Sequence, residues 1–255
     1  MHPVIRFLSR RYSVAVEPFE VITDDGVPLR GDRLGAGEIA LIFCHGFMGW
    51  RRKARLVLFE ESLARSFTVY AFDMRGHGES GGLSGFGAME HLDVGAVVRL
   101  AREDGATRVV TFGGSMGGIA VLRHAALLGG IDGVVAVSTP ALWDGHDSDA
   151  VRRLARLTAS KFGRSVLRVA GVRVTDAFDR VEAPADLIGK IAPIPVAIFH
   201  GRDDHFFDEE QAWLLYRRAG VPKRLLMAGR FGHAEDGYTR AFADQIARVV
   251  REMVA

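Results

Sequence analysis

Gly113-Gly114-Ser115-Met116-Gly117-Gly118 stands between a short apolar run, Arg108 to Phe112, and a helix-forming run, Ile119 to Leu128. A turn this tight between strand and helix strains the backbone of its central residue and is tolerated only where neighbouring residues lack bulk. Gly113 and Gly117 flank Ser115 at two residues on either side, where a side chain would collide with the crossing strand and helix. The serine is thereby presented at the top of a sheet, with its backbone at the positive end of a helix. Strand, turn and helix in this order form the setting of a nucleophile elbow. A phosphate loop would need Lys followed by Ser or Thr after the last glycine, and Ile119-Ala120 stands there instead.

The same alternation runs outward from this stretch in both directions. Phe19 to Thr23 and Val27 to Asp32 flank Asp24-Asp25-Gly26, which predicts a hairpin. Ile39 to Cys44, Thr68 to Phe72, Gly133 to Val137, Pro195 to Phe199 and Lys223 to Met227 read, with Arg108 to Phe112, as apolar strands of a parallel sheet covered on both faces. Between them lie segments of helical period. Met89, Leu92, Ala96 and Leu100 predict one apolar stripe over Phe86 to Asp104, and Tyr238, Phe242, Ile246, Val249 and Met253 predict another near the C-terminus. A hairpin followed by repeated strand–helix units implies a doubly wound α/β sheet in a single domain over residues 1–255. Residues 141–193 break the rhythm. Leu154, Leu157 and Phe162 suggest a small helical cap inserted over the C-terminal edge of the sheet.

Hydrophobic residues make up 48% of the chain, enough for a large core, so disorder is excluded. Lys and Arg number 33 against 31 Asp and Glu, and that near balance gives no reason to expect nucleic acid as a partner. The pI near 8.9 follows from the small excess and, on this reading, describes no patch. The single cysteine, Cys44, excludes an intramolecular disulfide and reads as a buried apolar residue. Arg6, Arg10 and Arg11 border a short apolar stretch with no long hydrophobic region and no cleavage site, so a secretory signal is not expected. Three charges are too few for a stable membrane anchor, no run is long enough to span a bilayer, and the expected location is cytoplasmic.

Four further motifs carry the chemistry. His45-Gly46-Phe47 closes the run Ile39 to Cys44, and Asp73-Met74-Arg75-Gly76-His77-Gly78-Glu79-Ser80 follows Thr68 to Phe72. His200-Gly201-Arg202-Asp203-Asp204-His205 follows Pro195 to Phe199, and Phe231-Gly232-His233 follows Lys223 to Met227. In this order, and with the elbow, they resemble the α/β-hydrolase family over about Val21 to Val254, nearest to small esterases, lipases and related hydrolases with a Gly-x-Ser-x-Gly elbow. The resemblance implies the α/β-hydrolase fold, Ser115 as nucleophile, His233 as base, and the amides of Phe47 and Met116 as an oxyanion hole. It implies Asp204, three residues after the strand-ending Gly201, as the orienting acid. Asp203 is the neighbouring alternative, and Asp144 a more distant one, since some members of the fold place the acid there. His200 and His205 stand beside the acid and are not expected to reach Ser115. Arg75 and His77 are expected to be structural.

The reaction implied is acyl transfer through an acyl-enzyme, with a small-molecule acyl substrate: a carboxylic ester, or a thioester, acylglycerol or lysophospholipid. No metal or organic cofactor is expected, since His146, Asp147 and Asp149 match no ligand spacing. Other chemistry on the same triad (carbon–carbon bond hydrolysis or perhydrolysis) and a non-catalytic binding protein of the same fold are the alternatives. Trp143, Phe162, Phe178, Phe206 and Phe207 fall in the cap or beside the acid loop. Trp143 and Phe206 are the residues expected to bind an apolar acyl group, packing of the cap onto the sheet being the other reading.

Overall fold

A computed structural model describes residues 9–144, 148–176, 181–229 and 231–255. Arg6, His146, Asp147 and Phe178, named above, lie outside the described residues. One sheet of eight strands organises the chain, in the order β1-β2-β4-β3-β5-β6-β7-β8. Its strands are β1 (Val16–Ile22), β2 (Pro28–Leu34), β3 (Ile39–Cys44), β4 (Thr68–Phe72), β5 (Arg108–Gly114), β6 (Gly133–Val137), β7 (Val196–Gly201) and β8 (Lys223–Ala228). β1 pairs antiparallel with β2 and β2 antiparallel with β4, and every later pairing is parallel. The hairpin is longer than expected, running from Val16 to Leu34, and it turns at Gly26, whose φ of +81° glycine tolerates without strain.

Position in the sheet sets how each strand is buried. β3, β6 and β7 are buried along their whole length, as central strands covered on two faces must be. β8, grouped with these strands in sequence although it opens with Lys223 and Arg224, forms the sheet edge and is only partly buried. Helices α2 (His91–Glu103), α3 (Met116–Leu127) and α7 (Glu209–Arg218) cover one face, where Val94, Val97, Ala120, Val121 and Leu215 are fully buried. Helices α1 (Ala54–Leu63) and α8 (Arg240–Met253) cover the other with Leu56, Phe59, Phe242, Ile246 and Val250. At about 1.5–3 kcal/mol for each large apolar side chain removed from water, these two layers hold the sheet. Among the described residues no helix is long and apolar enough to cross a membrane.

The stripe expected over Phe86 to Asp104 holds in part. α2 begins at His91 rather than Phe86, because Phe86 and Gly87 take positive φ and the Glu90 carboxylate accepts from the amides of Gly85 and Gly87, both at 2.8 Å. Ala96 of that stripe is fully buried and Leu100 packs against the core, but Met89 is exposed, and the buried side widens to take in Asp93, Val94, Val97, Val98 and Ala101. A polar contact sits on that buried side. Asp93 accepts from the Arg75 amide at 2.8 Å and from Arg75 Nε at 2.7 Å, and the Arg75 guanidinium reaches Asp25 in the hairpin turn at 2.7 and 2.9 Å. Arg75 thus ties three elements together. The stripe expected in α8 does face the core.

Of residues 141–193, α4 (Asp149–Ala159) and α5 (Lys161–Val169) form a helical pair whose first turns are capped by Ser148 and Ser160. They approach so closely that a Cβ on Gly163 would lie 1.9 Å from the Leu157 carbonyl oxygen. The chain after α5 pairs with the loop following β4: the Arg173 amide donates to Gly76 O at 2.7 Å and the Ser84 amide to Arg173 O at 2.8 Å. The short α6 (Pro184–Leu187) and the single turn Ile188–Ile191 return to the main core, with Leu187 and Ile188 fully buried.

Candidate active site

Ser115 stands between β5 and α3 at φ +53° and ψ −117°, in the left-handed region that non-glycine residues avoid. The bond from its amide to Val137 O, 2.8 Å, and that from the Ile119 amide to Ser115 O, 3.1 Å, hold it there. A Cβ on Gly113 would lie 2.2 Å from Gly117 O, and one on Gly117 would lie 2.3 Å from Cys44 O. The obstacle at Gly117 is therefore the exit of β3 rather than β5. That exit leads into His45-Gly46-Phe47, and a Cβ on Gly46 would come within 3.6 Å of Ser115 Cβ. The Gly46–Phe47 loop thus passes directly over the serine. Met116 is the first residue of α3, where an amide has no partner within the helix. Phe47 lines the same space as Ser115, and Met116 follows the serine directly in the chain.

His45 fixes that loop. Its Nε2 accepts from the Met74 amide at 3.0 Å, so Nδ1 carries the proton and donates to Gly46 O at 2.8 Å. Burial, with the His77 ring beside it, holds His45 well below the ordinary histidine range, and it stays neutral. At the far end of the same loop the buried Arg51 is surrounded by Asp32, Asp73 and Glu79. No single motif announces that network, since its four members come from three segments: Asp32 on β2, Arg51 after β3, and Asp73 and Glu79 after β4.

His233 enters from the loop after β8. Its Nδ1 lies 2.9 and 3.1 Å from the two oxygens of Asp204, which is itself almost fully buried. Asp204 Oδ1 also accepts from the amides of Phe206, 2.8 Å, and Phe207, 3.1 Å. Burial works against the Asp204 charge, but the His233 contact and these amides outweigh it and hold the carboxyl below the ordinary aspartate range. The Phe206 ring lies 4.5 Å from the His233 ring and that of Phe207 5.4 Å. Ser138 Oγ, at the end of β6, accepts from the Ala234 amide at 3.1 Å and secures the histidine loop, a contact with no sequence signal.

The other candidates lie elsewhere. Asp203 is exposed, with its amide donating to Phe231 O at 3.1 Å. Asp144 is exposed beyond β6, and the described residues show no bond from it to His233. His200 is buried, its Nε2 donating to Phe207 O at 3.1 Å, and His205 is exposed on the rim. Asp149 is exposed and paired with Arg152 at 2.7 Å. Among the described residues no three His, Cys, Asp or Glu gather as a metal would need.

Ser115 opens into two connected spaces that share Phe47, Leu154 and Phe207. The inner one, about 390 Å³, is walled mainly by apolar groups that include Phe86, Met116, Ile119, Leu142 and Trp143. The outer one, about 580 Å³, holds His233 and Phe206 with Lys53, Arg153, His205 and Glu235. Trp143 therefore lines the apolar side, with its indole N–H donating to Val181 O at 2.8 Å. Phe206 lies against the histidine on the outer side. Phe162 lines neither space and is 81% exposed. Phe86, Ile119 and Leu142, which sequence reasoning missed, come from three separate segments and meet only in the fold.

Comparison with known proteins adds the following. Residues 41–253 match the model of the alpha/beta hydrolase family. The uncharacterized protein YfhR of Escherichia coli O157:H7 is 27% identical over 254 residues, covering 94% of this chain and 79% of that protein. Esterase Pf2001 of Pyrococcus furiosus superposes with a TM-score of 0.74 at 22% identity, covering 98% of this chain and 92% of that one. Esterase RhEst1 from Rhodococcus sp. ECU1013 superposes with a TM-score of 0.72 at 20% identity, covering 93% and 98%. At these identities the two solved structures speak to the fold.

Proposed function

The chain belongs to the alpha/beta hydrolase family, and on that premise we propose that it is a serine hydrolase cleaving a carboxylic ester or a related acyl bond through an acyl-enzyme on Ser115. One observation carries the reading: a serine held in a strained turn opens into the same space as a histidine whose Nδ1 meets a buried, ionised Asp204. With Nδ1–H donated to Asp204, Nε2 of His233 is left with a lone pair and serves as the base. It takes the Ser115 proton as Oγ attacks the carbonyl carbon. The amides of Phe47 and Met116 receive the developing oxyanion, and the positive end of α3 favours its charge. The imidazolium then protonates the leaving group, and water activated by the same histidine releases the acid.

The apolar inner space is of the size that small ligands fill, about 300–1,000 Å³, and the reading assigns it to the acyl group. Trp143, Phe86 and Ile119 would contact that group, and the leaving group would face the outer space. Labelling with a fluorophosphonate probe, followed by peptide mapping, tests the proposal. Modification at Ser115, absent from Ser115→Ala, is expected together with turnover of p-nitrophenyl esters. An unlabelled protein without turnover on a panel of acyl lengths would mean a binding protein on this fold.

A further inference from the structure

The near-neutral total conceals a basic pole. Over residues 148–176 seven Lys and Arg stand against Asp149 and Asp176, a net of +5, whereas the whole chain nets +2 and the remainder therefore −3. The expectation that the small excess describes no patch is corrected here.

Helix α5 divides lengthwise into three strips. Gly163 and Leu167 face inward. Lys161, Arg164 and Arg168, with Arg173 beyond the helix, line a surface cavity of about 340 Å³ in which Asp176 is the one carboxylate among the described residues. Phe162, Val166 and Val169, at the i, i+4 and i+7 spacing of one helix face, form the third strip and are 81%, 44% and 56% exposed. Arg164 donates to the carbonyls of Thr158 and Ala159, and Arg173 to those of Ser80 and Gly82. Carbonyl oxygens carry no net charge, so these bonds fix the guanidiniums in place and leave their charge uncancelled. Burial first, and the neighbouring Arg168 second, push Arg173 below the ordinary arginine range, against the attraction of Asp73.

We propose that this face of the cap docks reversibly on an anionic lipid bilayer, with the cations of the cavity taking lipid phosphates and Phe162, Val166 and Val169 entering the boundary of the acyl layer. The charge pattern selects the occupant. An acidic protein or a nucleic acid would satisfy the cations but has no use for three apolar side chains presented to water beside them. A neutral apolar partner would cover the strip and bury the cations at a cost. An anionic bilayer offers phosphate and hydrocarbon in adjacent layers, which is the pattern of a basic amphipathic helix lying in the interface. Nine helical residues and four cations give association without permanent anchoring. The proposal concerns where the protein sits and does not rest on the ester chemistry.

Co-sedimentation of the full chain with phosphatidylcholine vesicles, with and without phosphatidylglycerol, tests it. Binding is expected only to the phosphatidylglycerol vesicles and is expected to weaken as salt rises. Lys161→Glu with Arg168→Glu should lower vesicle affinity about tenfold or more, on the scale of about fivefold for each cation near the surface. Phe162→Ser, at a side chain that supports no packing, should lower it severalfold. It should leave the circular dichroism spectrum, the melting temperature and any weak retention on duplex DNA unchanged. Equal binding to neutral vesicles, no binding to anionic ones, or full displacement by DNA with no effect of Phe162→Ser would each overturn the proposal. None of these readouts depends on turnover, so their failure leaves the serine-hydrolase reading standing, and the converse holds.

Discussion

Ser115 occupies a backbone conformation that costs a non-glycine residue roughly 1–3 kcal/mol, and the bonds to Val137 and Ile119 over-determine it. Removing Oγ leaves that backbone untouched. Ser115→Ala is therefore expected to fold and melt like the parent while losing ester turnover, and a mutant retaining most of its activity would remove the serine from the mechanism. The two adjacent aspartates separate by contact: one meets His233 inside the protein, the other faces water. Losing the orienting carboxylate frees the imidazole to take the wrong tautomer, which in the serine-protease case lowers turnover about 10⁴-fold. Asp204→Asn should accordingly lose several orders of magnitude, and Asp203→Asn less than about tenfold, at about 1.36 kcal/mol per decade. Steady-state kinetics on one ester checks both; the reverse order would transfer the role to Asp203. The resemblance implied Asp204, with Asp203 beside it and Asp144 as a distant third. The direction each side chain takes from a turning loop decided which member meets the histidine.

Gly117 belongs to an element junction, the start of α3 pressed against the exit of β3. A side chain there meets two backbone carbonyls, of Cys44 and His45, at 2.3 and 2.7 Å, and neither can rotate away. Gly117→Val should fail to fold, read as loss of soluble protein and of the cooperative melt; a soluble, active Gly117→Val enzyme would contradict the close approach. The cap meets the body at the inner space, where Trp143 is a wall rather than a part of the catalytic group. Trp143→Ala should shift the preferred acyl length on a p-nitrophenyl ester panel while leaving turnover of the acetate ester within a few fold. An unchanged profile would return Trp143 to packing alone. At this scale the periodicity of α8 was legible because one plain apolar face meets one sheet face. That of α2 was legible only in part, in Ala96 and Leu100, since the Arg75–Asp93 contact places a carboxylate on the buried side.

Across the whole molecule, charge and protonation are distributed in ways that only the fold creates. The basic pole on the cap sets against a net acidic remainder, although the total is near neutral. Burial pushes His124, on α3, down to about 4, so the folded protein keeps it neutral where an unfolded chain, near 6.5, takes up a proton. Its contribution to stability is present above about pH 6.5 and is lost as pH falls toward 4. Between pH 6 and 5 the unfolding free energy of the parent should fall more steeply than that of His124→Gln, by up to about 1.36 kcal/mol per pH unit. Urea melts of both proteins measure the difference, and equal slopes would mean that His124 is protonated in the fold. The sequence by itself determined the alternation of strand and helix, the strained turn at Ser115 and the chain order of the candidate serine, acid and histidine. The first two are local matters of period and glycine placement, written within a few neighbouring residues, and the last rests on the resemblance of separate motifs to one family. Tertiary structure alone decided which aspartate meets His233, which side chains wall the inner space and where the cations gather. Each of those depends on residues far apart in the chain, brought within a few ångströms by the pairing order of the sheet and the return of the cap onto its edge.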